Sequence, residues 1–156
     1  MLTHSTPETG DRSDSVLDFM RLMWSVDHEL NRVSKRMLVH IGLTAPQRLA
    51  VRIIGSSPGL TLGQLAKLLR LHPGTVTGIV RRLGLAGFVT RTRGEHDTRR
   101  VHLTLTPAGQ KINRMHKGTV EGSVRRAFRR VSARDRAAAS RVMVLLASEL
   151  AAESHR

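Results

Sequence analysis

From Ser15 onward, apolar residues recur mostly at spacings of three and four: Val16, Leu17, Phe19, Met20, Met23, Trp24, Leu30, Val33 and Met37. This period predicts one long amphipathic helix that ends before Gly42. Its first half is apolar around most of its circumference, because Leu17, Phe19, Met20, Leu22, Met23, Trp24 and Val26 leave little polar face. A helix of that kind is covered on several sides. In a chain of 156 residues the cover expected is a second copy. Residues 1–14 are polar, hold Pro7 and Gly10, and read as a flexible tail with no secretory leader.

Four further helix starts follow. Thr44-Ala45-Pro46-Gln47 fits a capping box, with Thr44 at the N-cap and Gln47 three residues on. Its helix is expected to run to about Ile54 and stop at Gly55, before the turn Ser56-Ser57-Pro58-Gly59. Thr61-Leu62-Gly63-Gln64 repeats the box and opens a short helix to about Leu69. Arg70-Leu71-His72 is a tight connection, and Pro73 suits the first turn of a helix to about Leu85, closed at Gly87. The period then changes to two over Phe88–Arg93 and Arg99–Leu105, around the turn cluster Gly94-Glu95-His96-Asp97, which predicts a β-hairpin. Thr106-Pro107 launches a helix expected to reach about Arg130, and Ser132 starts a last helix carrying Val142, Leu145, Leu146 and Leu150. The fold class is mainly α with a small β-hairpin wing. A winged helix-turn-helix occupies 44–106, and helical regions at 15–43 and 107–153 serve dimerisation.

Charge adds a partner to this scaffold. Lys and Arg number 26 against 12 Asp and Glu, a net charge of +14, with Arg dominant. Arg pairs planar, bidentate groups such as phosphate and the guanine edge, so this imbalance points to a polyanion. The chain has no cysteine, which excludes disulfides, thiolate catalysis and Cys-rich metal sites. No Gly-rich phosphate loop, HExxH helix or nucleophile elbow is present, so no enzyme and no cofactor are expected. The eight histidines form no close pair on one helix, and no metal site is expected. No apolar run approaches the ~20 residues of a membrane span, and a cytoplasmic location is expected.

Within Pro73–Leu85, Val76, Ile79, Val80 and Leu83 form the stripe to be buried. The other face offers Pro73, Gly74, Thr75, Thr77, Gly78 and Arg81, with Arg82 at its flank. Two glycines cost a helix roughly 1 kcal/mol each relative to alanine. A major-groove surface explains them by close backbone approach; the plainer alternative is that Gly74 sits in a permissive first turn and Gly78 eases helix packing. Thr75 and Thr77 suit phosphate or a thymine methyl, Arg81 suits guanine N7 and O6, and Arg82 suits phosphate. The short helix starting at Thr61 and Leu62 presents free amides to phosphate. In the wing, Arg91, Arg93, Arg99 and Arg100, with His96 and Thr98 at the tip, fit a narrow, negative minor groove. The alternative is an edge strand kept soluble by charge. Asp97, two residues before Arg99, suggests a brace that aims a guanidinium.

The sequence resembles the multiple-antibiotic-resistance regulator (MarR) family of bacterial transcription factors. The likeness rests on Leu65-Ala66, on Thr75-Val76-Thr77-Gly78-Ile79-Val80-Arg81-Arg82-Leu83, on Gly87-Phe88-Val89-Thr90-Arg91, on Asp97-Thr98-Arg99-Arg100, and on Leu103-Thr104-Leu105-Thr106-Pro107-Ala108-Gly109. The resemblance implies a symmetric homodimer reading an inverted-repeat operator in double-stranded DNA, with Arg99 entering the minor groove and Asp97 positioning it. It also implies repression relieved by a small, often aromatic or anionic, effector; the family's cysteine-based redox branch does not apply. An effector wall would draw on Met20, Trp24, His28 and Arg52, whereas the plainer role of Trp24 is dimer core. Two readings compete with an operator-specific repressor: a low-specificity, nucleoid-type DNA binder, and a protein-interaction module. The run Arg125-Arg126-Ala127-Phe128-Arg129-Arg130 reads as a solvated face with phosphate reach, or as inter-subunit pairing.

Overall fold

A computed structural model describes residues 10–93 and 101–154. In chain order the elements are α1 (Gly10–Ile41), α2 (Ala45–Ser56), β1 (Leu60–Thr61), α3 (Leu62–Leu69), α4 (Pro73–Leu85), β2 (Val89–Arg93), β3 (Val101–Leu105), α5 (Pro107–Arg114), α6 (Val120–Phe128) and α7 (Ala133–Glu153). They divide into two compact units, one up to Met115 and one from His116 onward.

The first unit is built from the helix starts that the sequence marks. Thr44 caps α2, and the Gln47 side chain accepts from the Thr44 amide at 2.9 Å. Ser34 Oγ of α1 accepts from the Ala45 amide, which ties α1 to the start of α2. Thr61 and Gln64 exchange the two bonds of a capping box at the head of α3, at 2.8 and 3.3 Å. After α4, Phe88 N donates to Leu83 O and Gly87 N to Gly84 O, with Gly87 at φ +74°. This is a Schellman ending, and the left-handed position favours glycine. Val76, Ile79, Val80 and Leu83 of α4 are buried in one core with Ala50, Val51 and Ile54 of α2, Leu65 and Leu69 of α3, Val89 and Leu103.

The structure departs from the expected elements in several places. The hairpin is part of a three-stranded antiparallel sheet in the order β1-β3-β2, with Leu60 opposite Leu103 and Arg91 opposite Leu103 on the other side. A two-residue strand has no period of its own, so only its pairing reveals it. Helix α1 starts at Gly10, within the stretch 1–14 expected as a tail, and residues 1–9 lie outside the described residues. The helix expected from Pro107 to Arg130 is two helices. Gly118 at φ +73° interrupts it, and Thr119 starts α6 by accepting from Gly122 N while donating to His116 O. Helix α5 packs on α2 and β3 and lies in the first unit.

In the second unit α6 and α7 are joined through Arg129–Ser132. Ser132 and Asp135 form the capping box of α7, with Ser132 Oγ donating to the Asp135 carboxylate at 2.7 Å. The guanidinium of Arg136 lies 5.9 Å from the centre of the Phe128 ring, a cation–π contact between α7 and α6.

Candidate nucleic-acid interface

Helix α3 leaves its last turn through Arg70, the only non-glycine residue with positive φ among the described residues (φ 54°). Leu71 N donates back to Ala66 O at 3.2 Å, so the chain turns sharply into α4. His72 starts α4: its Nδ1 accepts from the Gly74 amide at 3.2 Å. Pro73 then occupies the first helical position, where a missing N–H does no harm. From sequence, His72 reads as a DNA-proximal histidine at the entry of this helix, whereas Arg70 reads only as part of the connection. The signal for Arg70 was the absence of glycine from a three-residue helix-helix turn. A side chain retained in strained backbone at an exposed position is often functional.

Opposite the buried stripe of α4, Pro73, Gly74, Thr75, Thr77, Arg81 and Arg82 are exposed and Gly78 is half-buried. A Cβ built on Gly78 would meet only the tip of Arg82, at 3.9 Å, and one on Gly74 only the His72 ring, at 3.3 Å or more. Packing among the described residues therefore does not require glycine at Gly78. Thr77 Oγ1 donates to Pro73 O at 2.9 Å, so its proton is engaged by the helix itself, and the hydroxyl keeps its capacity to accept. Arg81 and Thr75 have no side-chain partner among the described residues, and both lie on the open face. Substituting Gly78→Ala is expected to stabilise the fold by about 0.5–1 kcal/mol, since nothing collides and helix propensity rises. The same change should weaken duplex binding several-fold, which denaturant titration and a binding isotherm would read separately.

At the head of α3 the expectation of free amides needs correction at Thr61. Its amide donates to Gln64 Oε1, and its hydroxyl accepts from Gln64 N. The capping box consumes these groups, so any phosphate contact here shifts to the amides of Leu62 and the following Gly63. Along the wing, Arg91 and Arg93 are exposed and share a sheet face with Leu103 and Val101, which they oppose in register. Thr90 and Thr104 lie on the other face and share a hydroxyl bond of 2.8 Å. The His102 ring N–H donates to Gly59 O at 2.6 Å, and Gly59 N to Leu103 O, so the root of the wing is pinned to the turn before β1. His96, Asp97, Thr98, Arg99 and Arg100 lie outside the described residues.

The residues named for an effector wall lie on two elements, α1 and α2. Trp24 is 60% exposed and Met20 40%, and His28 is exposed on the same helix. Arg52 donates to the Asn113 backbone and side-chain oxygens at 2.9 and 2.8 Å. Among the described residues, one cleft of about 360 Å³ lies between α2, β3 and α5 and another of about 530 Å³ beside α3, and the four residues line neither of these.

A short helix, a sharp turn, a second helix with one buried and one open face, and a twisted antiparallel ribbon together define a winged helix-turn-helix. Residues 43–101 match the model of the MarR family. The HTH-type transcriptional regulator TtmR of Methylorubrum extorquens is 33% identical over 99 residues, 64% of this chain and 50% of the relative. The organic hydroperoxide resistance transcriptional regulator of Bacillus subtilis is 32% identical over 56% of this chain and 60% of the relative. These matches thus span about half to three fifths of the relatives' lengths. Streptococcus pneumoniae FabT, solved in complex with DNA, superposes with a TM-score of 0.59 at 27% identity, covering 85% of this chain and 96% of that one. Residues 43–101 are thus a domain of the MarR type by these matches, and the chain as a whole is similar to regulators that carry it.

Proposed function

We propose that the chain is a transcriptional regulator that binds duplex DNA in a sequence-specific way, as a homodimer on an inverted-repeat operator, and represses from it. The observation that carries this reading is the open face of α4: Gly78 with space above it, exposed Thr75 and Thr77, and an exposed Arg81 with no side-chain partner among the described residues, all opposite a buried stripe. The likeness to FabT, solved in complex with DNA, supports DNA as the partner. In this reading Arg81 contacts a guanine edge, Arg82 and Arg70 take phosphate, Nδ1 acceptance at His72 leaves its Nε2–H for phosphate, and the wing arginines follow the minor groove.

Arg81→Ala is expected to weaken binding to a selected site by about 1–3 kcal/mol, roughly 5- to 150-fold, and to flatten discrimination at the base it reads. Arg82→Ala should instead weaken selected and random duplexes alike and lower the salt slope by about 1. Equal affinity of the unaltered protein for any duplex would replace this reading with the nucleoid-type one. Intact regulation in Arg81→Ala would favour a protein-interaction module.

Dimerisation is supported by apolar surface that the chain leaves open. Leu17, Leu22, Trp24 and Val26 of α1 are exposed, as are Val142, Met143 and Leu145 of α7. So much aliphatic and aromatic surface marks an interface. Sedimentation at micromolar concentration should give twice the chain mass, and Leu145→Glu should shift it toward one chain; a monomer before substitution would contradict the dimer. Family likeness adds release of the duplex by a small aromatic or anionic effector. No helix of the described residues is long and apolar enough to cross a membrane, and a regulator of this kind works in the cytoplasm, where the chromosome is.

A further inference from the structure

The cleft between α2, β3 and α5 has two unlike walls. The apolar wall comes from Ile54 near the end of α2, Pro58 in the turn that follows, and Leu105 at the end of β3. The polar wall comes from Gln110, Asn113 and Arg114 of α5. No acidic and no aromatic side chain stands among the described residues that line it. At about 360 Å³ it falls at the lower end of small-molecule sites, which span roughly 300–1,000 Å³.

The polar wall is set from α2. Arg52 donates to the Asn113 side-chain oxygen at 2.8 Å and to its backbone oxygen at 2.9 Å. A guanidinium only donates, so the amide oxygen faces Arg52 and the NH2 group turns the other way. That NH2 group lies over Gly55, where an added Cβ would fall on its nitrogen and come within 3.0 Å of Leu105 Cδ1. Gly55 lines the same cleft, and its missing side chain keeps the space between Asn113 and Leu105 open. Gln110 and Arg114 are exposed at the rim and bring a second amide and a full positive charge. Donors without an acid, beside an aliphatic wall, match a carboxylate at one end of a ligand and a short saturated chain at the other. Charge-assisted bonds from Arg114 and the two amides are of the stronger kind. A wall without rings offers no stacking partner to an aromatic body.

Resting on the proposal that a small anionic effector releases this chain from DNA, we infer that this cleft is the effector site and that it takes a short aliphatic carboxylate. It is distinct from the wall expected at Met20, Trp24 and His28, none of which lines it. The cleft lies within one compact unit and adjoins the wing: Thr104 lines it and shares a hydroxyl bond of 2.8 Å with Thr90 of β2. The residue after Leu105 is Thr106, whose hydroxyl donates to Gly87 O beyond the end of α4 at 2.6 Å. A ligand wedged between α2 and the corner of β3 and α5 therefore bears on the wing and the recognition helix together. Spreading that corner changes the angle between them, and a duplex that needs both in place is released.

Hexanoate is the probe, with hexanamide as the control for charge and inorganic phosphate as the control for the apolar body. Calorimetry on the full chain should give hexanoate a Kd of about 1 mM or tighter, and either control should bind at least about 10-fold more weakly. The amide signals of Gly55 and of the Asn113 side chain should shift during the titration. Arg114→Gln should weaken hexanoate about 10-fold by removing the charge. Gln110→Glu should weaken it at least as much by adding a like charge, which covers the case of a first variant that fails to fold. With sodium chloride matched for ionic strength, saturating hexanoate should weaken binding of the unaltered protein to its selected duplex several-fold. Without ligand, both variants should bind that duplex as the unaltered protein does. The inference is overturned by no binding of hexanoate, by binding that both variants leave unchanged, or by signals that shift only in α1 and α7. Tighter binding of benzoate at these same residues, or a duplex affinity that bound hexanoate leaves unchanged, also overturns it. A protein that takes hexanoate in this cleft but binds no duplex overturns the regulator reading and leaves the binding site standing.

Discussion

Arg48→Met should lower the free energy of unfolding by about 2–4 kcal/mol, seen as an earlier denaturant midpoint at unchanged slope. Arg48 is 1% exposed, an unusual place for a guanidinium. It donates to the carbonyl oxygens of Ile112, Asn113 and Met115, at the end of α5. The last carbonyls of a helix have no partner within it, and a cation there also meets the favourable end of the helix dipole. Arg48 thus caps α5 from inside α2 and locks the helix that follows the wing. Methionine fills much of the same volume but donates nothing, so acceptors that were satisfied would be left without donors. Each such group costs about 1–3 kcal/mol, partly offset by no longer desolvating a charge. Stability within about 0.5 kcal/mol of the unaltered protein would show that water serves these carbonyls equally well.

Gly109→Ala should be at least as damaging, lowering the melting temperature by about 10 °C and abolishing specific DNA binding. Gly109 is buried in the first turn of α5. A Cβ there would fall on the Phe88 carbonyl oxygen, with the carbonyl carbon 3.0 Å and Cα 3.3 Å away. Those atoms are backbone and cannot swing aside. The joint is held by three bonds: Thr106 N to Phe88 O at 3.1 Å, Thr106 Oγ1 to Gly87 O at 2.6 Å, and Gly109 N to Thr106 Oγ1 at 3.0 Å. It connects the end of α4 to the start of α5 across the root of the wing. Relief of the clash must move α5 or the chain entering β2, and either changes the angle between the recognition helix and the wing. A variant that melts within about 2 °C of the unaltered protein would mean that the joint yields freely.

The motif Leu103-Thr104-Leu105-Thr106-Pro107-Ala108-Gly109 was legible in the sequence, but its reason was not. Only in the folded chain does Thr106 reach back to Gly87 and Gly109 clear Phe88. Local chemistry read well where it was self-contained. The Thr-x-x-Gln boxes, Pro73 at a helix start, Gly87 as a stop and the buried stripe of α4 all depend on neighbours within four residues. Non-local chemistry did not. Arg48 looks like any surface arginine until α5 arrives, and β1 exists only because Leu60 and Thr61 pair with Leu103 and His102. The break before α6 had a local sign, Gly118-Thr119, but the wide apolar spacing around it resembled one long helix. Thr61 shows the opposite failure: a box correctly recognised uses up the amide offered to phosphate.

The central claim is that the open face of α4 reads sequence, with two copies acting together. Selection of bound duplexes from a fully random pool tests it most directly. The account predicts enrichment of an inverted repeat whose half-sites are centred about one helical turn apart, ~34 Å. With Arg81→Ala, selection should lose one base preference, symmetrically, in both halves. A pool that stays random after repeated rounds, while still being bound, would contradict the account.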